Sequence, residues 1–240
     1  MRIALIGRGR VATHLLKALL QAGHEVVSVN SRTLEELPPE ADVYILSVKD
    51  SALQDVIRNA VKGREGQLFV HTAGSMSMDL FKGCCARYGV LYPMQTFSKE
   101  REVDFHQIPL FIEASDAESL QQIRVLADSV SQHVYELSTA DRRYLHLAAV
   151  FACNFANHCM ALSADVLGRI GIPFDVMLPL VDQTVRKLHA MAPADAQTGP
   201  AVRHDNNVIV SQHHLLDDNP KMQNVYDLLT QSIYEKTTNK

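Results

Sequence analysis

No stretch of this sequence approaches the ~18 to 20 uninterrupted apolar residues that a membrane span requires. The apolar start RIALIG also lacks the length and cleavage chemistry of a signal peptide. A cytoplasmic chain with no membrane partner is expected. Cysteine is scarce: Cys84 and Cys85 are adjacent, Cys153 and Cys159 stand six apart on one helical pattern, and no CxxC pair occurs. They read as reduced thiols. Positive charge is not in excess, with 23 Lys and Arg against 27 Asp and Glu and a net of −4. That leaves no basic footprint for nucleic acid, so any anion must be held by a local cluster of Arg and backbone N–H groups. Also missing are Tyr-x-x-x-Lys, GK[ST], H-E-x-x-H and G-x-S-x-G, which removes short-chain dehydrogenases, phosphate-loop enzymes and the common hydrolases. No repeat, low-complexity tract or flexible linker interrupts the 240 residues.

What is present begins as an alternation. RIALIG, HEVVSVN, ADVYILSV, GQLFVHT, GVLYP, IPLFIEA and HVYEL are short apolar runs, several apolar throughout, as strands covered on both faces must be. Between them, RVATHLLKALLQAG, DSALQDVIRNAVKG and DAESLQQIRVLADSV carry the helical period, the first stopping at Gly23. This predicts an α/β fold with an N-terminal doubly wound, Rossmann-type parallel sheet over residues 1–138. Ser138, with Asp141 three residues on, reads as a capping box opening a helix that runs to about Ile170 and is stopped by Gly171 to Pro173. Only helical patterns follow, so residues 139–240 are expected to form a C-terminal all-helical domain.

Gly7, Gly9 and Ala12 match G-x-G-x-x-A directly after a buried strand and at a helix start. The first glycine permits the tight turn, the second admits a pyrophosphate to the backbone, and the small third residue lets helix and strand approach. Arg8, Arg10 and Val11 share this turn. An Asp or Glu for a ribose 2′-hydroxyl belongs about 20 residues further on, at the carboxyl end of the second strand. Glu25 opens that strand, and its carboxyl end reads Asn30, Ser31 and Arg32 instead. Two hydrogen-bonding side chains and a guanidinium favour a 2′-phosphate, hence NADP(H) as cofactor.

Ligands on such sheets lie at the carboxyl ends of the strands, which places Ser47 and Val48, then His71 with Ala73, Gly74 and Ser75, then the Tyr92 to Phe97 loop around the nicotinamide. His71 is either a proton donor or a structural hydrogen-bonder. In the helical part His146, Asn154 and His158 fall on one broad side of a helix, where Asn can hold a substrate carbonyl and His can protonate the alkoxide left by hydride transfer. Their alternative is a polar seam between domains. Arg203, near Asp205, can clamp a substrate carboxylate or a cofactor phosphate. No ligand spacing among these histidines, or with His204, His213 and His214, supports a metal.

The opening ALIGRGRVATHLLKALLQAGHEVVSVNSR, with HTAGS, YPMQTFS, HLAAVFACNFANH and TGPAVRHD, resembles the Rossmann-like family with a DUF2520 C-terminal domain, across essentially the whole chain. More remotely it is similar to pyrroline-5-carboxylate reductases, 3-hydroxyisobutyrate dehydrogenases and ketopantoate reductases. The resemblance implies an NADP oxidoreductase with His71, Ser75, Gln95, Asn154 and Arg203 lining the cleft, and a homodimer made through the helical domain. It departs from the hydroxyacid dehydrogenases at Val150, where those carry a catalytic Lys one turn before the Asn. The expected activity is hydride transfer to or from a small carboxylate-bearing carbonyl, ketopantoate-like, with His71, His146, Asn154 and Arg203 as catalytic residues. A pyrroline-like imine substrate, or a sensor that binds NADP(H) without turnover, are the alternatives.

Overall fold

The computed structural model describes residues 1–98 and 100–238. All seven apolar runs are strands: β1 (Arg2–Ile6), β2 (Glu25–Val29), β3 (Val43–Leu46), β4 (Leu68–His71), β5 (Arg87–Pro93), β6 (Leu110–Ala114) and β7 (Val134–Glu136). They join in one sheet of order β2-β1-β3-β4-β5-β6-β7. Pairing is parallel from β2 through to β5, antiparallel between β5 and β6, and parallel again between β6 and β7. The reversal departs from the all-parallel expectation for a simple reason. The described residues of 94–109 contain only a three-residue 3-10 turn, with no helix among them to carry the chain back to the start of a parallel neighbour.

Helices α1 (Arg10–Gln21), α2 (Asp50–Val61) and α3 (Ala117–Asp128) cover both faces. Alternation along β1 shows how. Ile3 and Leu5 enter the core that holds Leu15 and Leu19 of α1 with Ile123 and Leu126 of α3, whereas Ala4 and Ile6 enter the one that holds Leu53 and Ile57 of α2. β1, β3 and β4 each feed two layers in this way, which is why their buried runs are apolar on both faces. Gly23 ends α1 as the sequence suggests, at φ +80°. No helix connects β2 to β3, and the chain turns through residues 30–42 instead. From β1 the connections run to β2 on one side and onward to β3 on the other, making the crevice between β1 and β3 the switch point where such sheets bind ligands.

The chain divides into two compact units, Met1–Phe155 and Ala156–Lys240, later than the boundary expected at residue 138. Helix α4 (Thr139–Ala149) stays with the sheet because its first turn is bonded there. Ser138 Oγ accepts from the Asp141 N–H at 3.1 Å, the expected cap, while the Thr139 N–H donates to Glu113 of β6 at 2.7 Å. The long helix is not uniform either: Val150–Phe155 is a π turn before α5 (Ala156–Gly168). The run Thr139–Gly168 reaches the length and composition of a membrane span, with a mean hydropathy of 1.3 in its most apolar window. No uninterrupted apolar stretch of that length occurs in it, since Asn154, Asn157 and His158 break the run.

The second unit adds α6 (Leu178–Lys187), α7 (Pro193–Ala196), α8 (Asn206–His214) and α9 (Pro220–Thr238), and no strand occurs among its described residues. Among those described residues Leu167, Ala201, Leu216 and Met222 are the buried ones.

Candidate active site

Gly7 sits at φ +128°, and a Cβ on it would lie 2.1 Å from the Ser47 carbonyl oxygen. Only glycine allows β1 to turn this tightly against the end of β3. The Gly7 N–H donates to Val29 O at 2.9 Å and the Ser47 N–H to Ile6 O at 2.8 Å, so the turn is tied to both neighbouring strands. Gly9 caps α1 in extended conformation with no side-chain cap, and a Cβ there would meet nothing within 4 Å. The first N–H groups of α1 thus face open space, and no acidic residue occupies its first turn. That is the electrostatic setting of an anion site. Ala12 is buried, matching the packing role the motif assigns to its third small residue.

From this turn runs a cleft of about 710 Å³. At one end it is lined by Arg8, Arg10, Val11, Ser31 and Arg32, as the sequence predicts, with Lys49 alongside. Asn30 does not line it. Its Oδ1 accepts the Arg32 N–H at 3.0 Å, so it shapes the turn that presents Ser31 and Arg32. Arg10 Nη1 reaches Phe97 O at 3.5 Å.

At the other end the cleft meets Ser47, Val48, Thr72, Ala73, Gly74 and His146. Thr72 Oγ1 donates to the buried Ser47 Oγ at 3.2 Å, fastening the β4 loop to the β3 loop. His146 Nδ1 lies 3.1 Å from Tyr92 Oη, and the two rings meet edge to face. Gly74 is pressed against both: a Cβ there would lie 2.7 Å from His146 Nδ1 and 2.7 Å from Tyr92 Cζ. Burial raises the Tyr92 pKa, with the nearby Arg142 charge acting the other way, so the phenol keeps its proton at neutral pH. Tyr92 also lines a second cavity of about 340 Å³ together with His146, Gln95 and Asn154.

His71 falls outside this site. Its ring is fully buried, its Nδ1 accepts the Ala73 N–H at 3.2 Å, and its Nε2 faces Ser77 O at 3.3 Å. Since Nδ1 is an acceptor, the proton sits on Nε2 and the ring is neutral. Burial, with the Arg142 charge second, lowers its pKa to about 4. A proton donor needs access and an available charge, and this ring has neither; it holds the shape of the loop instead. Ser75 likewise donates to Asp50 Oδ2 at 2.7 Å and does not line the cleft. Arg203 belongs to the second unit, exposed in the turn before α8, where Asp205 caps the helix by accepting the Val208 N–H.

Sequence reading misses the group that braces the loop. Arg142, 1% exposed, donates from Nη1 to Glu113 Oε2 at 2.7 Å and from Nη2 to Met76 O at 2.6 Å. It lies one turn before His146 on α4, so a single side chain links the β4 loop, β6 and the helix carrying the site histidine. Its Nε is buried without a partner. An arginine in an apolar-spaced helix offers no sequence signal for this.

Fold and cleft together define a Rossmann-type dinucleotide-binding protein. Residues 108–233 match the profile described as Domain of unknown function (DUF2520), and residues 2–39 that of NADP oxidoreductase coenzyme F420-dependent. The chain belongs to the DUF2520 family. It is 47% identical to "putative NADP oxidoreductase BF3122" from Bacteroides fragilis, whose crystal structure it matches over 98% of each chain with a TM-score of 0.92. An imine reductase from Myxococcus stipitatus in complex with NADP+ shares the fold at 16% identity, covering 100% of this chain and 95% of that one, with a TM-score of 0.70. The 1-pyrroline-5-carboxylate reductase of Streptococcus pyogenes does so at 16% identity over 98% of each chain, with a TM-score of 0.62. Curated proteins include no significant sequence relative.

Proposed function

We propose that the protein is a cytoplasmic NADP(H)-dependent oxidoreductase that reduces, or in reverse forms, a carbon–oxygen or carbon–nitrogen double bond, and that it works as a homodimer made through its helical unit. One observation carries this: a single cleft joins the Gly7 to Val11 anion cradle and Arg32 to His146, which is hydrogen-bonded to Tyr92, across the switch point of the sheet.

The residues fit the cofactor. Gly7 makes the turn and Gly9 leaves room for a pyrophosphate at the start of α1, while Ser31 and Arg32 offer hydrogen bonds and charge to a 2′-phosphate. When bound, NADPH supplies a hydride to the substrate carbon and leaves as NADP+. The substrate heteroatom then takes the electron pair of the double bond and needs one proton. His146 stands where the cleft ends and is held by a phenol that stays protonated, so the pair supplies that proton and orients the acceptor. Imine reductase and pyrroline-5-carboxylate reductase share the fold, and their names denote reduction at C=N. The homodimer rests on the scarcity of buried side chains in the helical unit.

The test has two stages. Calorimetry with NADPH and NADH is expected to show binding with NADPH preferred; no heat with either rejects the cofactor. NADPH oxidation is then followed with a panel of ketones, keto acids and cyclic imines. Binding without turnover of any of them identifies a sensor and rejects the enzyme.

A further inference from the structure

We infer that the cavity of about 340 Å³ beside the Tyr92–His146 pair is the substrate site, and that it takes a neutral, largely apolar ketone or imine instead of a carboxylate. The inference rests on the NADP(H) reading above and adds the substrate class.

Position comes first. His146 is shared by this cavity and the dinucleotide cleft, and Tyr92 opens into the cavity from the other side of the same hydrogen bond. A compound in the cavity therefore meets the proton-bearing pair at the one place where the two spaces join. The lining follows from the local backbone. Strand β5 ends at Tyr92 and Pro93 and delivers Met94, while α4 and the π turn bring Leu145, Ala149 and Cys153 to the opposite wall. Small alanines at 148, 149 and 152 keep the space open. π turns of this kind recur at functional sites because the widened ring shifts the following side chains.

Charge decides the class. Among the described residues that line the cavity there is no Lys, Arg, Asp or Glu, and the polar groups beyond the pair are the neutral Gln95, Thr96 and Asn154. A carboxylate placed against this mostly apolar wall gives up part of its hydration and meets no unpaired cation among the described lining residues in return. A neutral compound loses hydration only at its C=O or C=N group, which the Tyr92–His146 pair replaces. Arg8, Arg10, Arg32 and Lys49 lie along the dinucleotide cleft, and Arg142, whose charge reaches Tyr92, is already paired with Glu113.

The test uses the full-length protein saturated with NADP+, so that binding is read without turnover. Cyclohexanone and 2-methyl-1-pyrroline are titrated calorimetrically against 2-oxobutanoate and 1-pyrroline-2-carboxylate. The neutral pair is expected to bind at least tenfold tighter than the acids, and Ala149→Trp to abolish that binding while NADP+ affinity stays within twofold. Equal or tighter binding of the acids overturns the proposal. So does binding of none of the four, or neutral binding that survives Ala149→Trp. Failure of NADP+ itself to bind would instead reject the cofactor reading, which keeps the two failures apart.

Discussion

Gly74 faces both members of the Tyr92–His146 hydrogen bond with no space for a side chain, so the β4 loop closes directly on the site pair. Gly74→Ala places a methyl 2.7 Å from each ring, and the rings must separate or the loop must lift. Overpacking of this kind costs about 1–3 kcal/mol. Turnover is expected to fall ~10- to 100-fold with NADPH affinity changed much less, because the anion cradle lies at the other end of the cleft. Steady-state kinetics beside a calorimetric titration checks this, and a variant that loses both equally contradicts it.

Arg32 divides the two pyridine cofactors. Its guanidinium is solvent-exposed in the free protein, so Arg32→Ala leaves nothing buried unpaired and stability should hold. A charge-assisted hydrogen bond to a 2′-phosphate is worth about 1.5–3 kcal/mol. NADPH binding should weaken ~10- to 100-fold and NADH binding should be unchanged. Parallel losses for both cofactors would place the 2′-phosphate elsewhere.

The residues that were legible beforehand are those whose signal is local. Seven apolar runs gave seven strands, Gly7 and Gly9 marked the turn, and Ser138 with Asp141 marked a helix start. What escaped depends on distant partners or on topology. Tyr92 and His146 lie 54 residues apart, and Arg142 and Glu113 lie 29 apart, so neither pair leaves a spacing pattern to find. The reversal at β6 follows from a missing helix, and the π turn at Val150–Phe155 keeps the helical period closely enough to be hidden by it. His71 was read for its chemistry when its burial determines its role.

That burial has a consequence for acid stability. His71 has a pKa of about 4 in the fold, against 6.5 for an unburied histidine. Between those values the unfolded chain binds the extra proton, so stability rises with pH there. The contribution is intact above about pH 6.5 and is lost as pH falls toward 4, in total about 3 kcal/mol. His71→Gln can accept from the Ala73 N–H and donate to Ser77 O without titrating. Urea midpoints measured from pH 7 to 4 should fall less for this variant than for the parent, and parallel curves would disprove the assignment.

Arg142 is expected to be the most costly single side chain to remove. Truncation leaves Glu113, whose side chain is 15% exposed, without its cation. Breaking such a pair costs about 3–5 kcal/mol, whereas replacing both partners is far milder. Arg142→Met should lower the urea midpoint sharply, and Arg142→Met with Glu113→Gln should recover part of the loss. The double variant still lacks the bond to Met76 O, so its turnover should remain low while its stability improves. Recovery of both together would mean that Arg142 does not position the loop.

The helical unit buries few apolar side chains of its own. Four apolar side chains are buried among the described residues of Ala156–Lys240, while Ile170, Leu180, Leu215 and Leu228 are each more than 60% exposed. A small unit gains stability only by removing apolar surface from water, at about 25 cal/mol per Å². A second copy of the chain is a cover available at any concentration where the protein is made, and paired copies are the commonest closed assembly. Sedimentation velocity should therefore show a dimer. Leu180→Asp with Leu228→Asp should shift it to monomer and lower its melting temperature, since a folded unit that depends on its partner loses stability with it. A parent protein that sediments as a stable monomer refutes the argument.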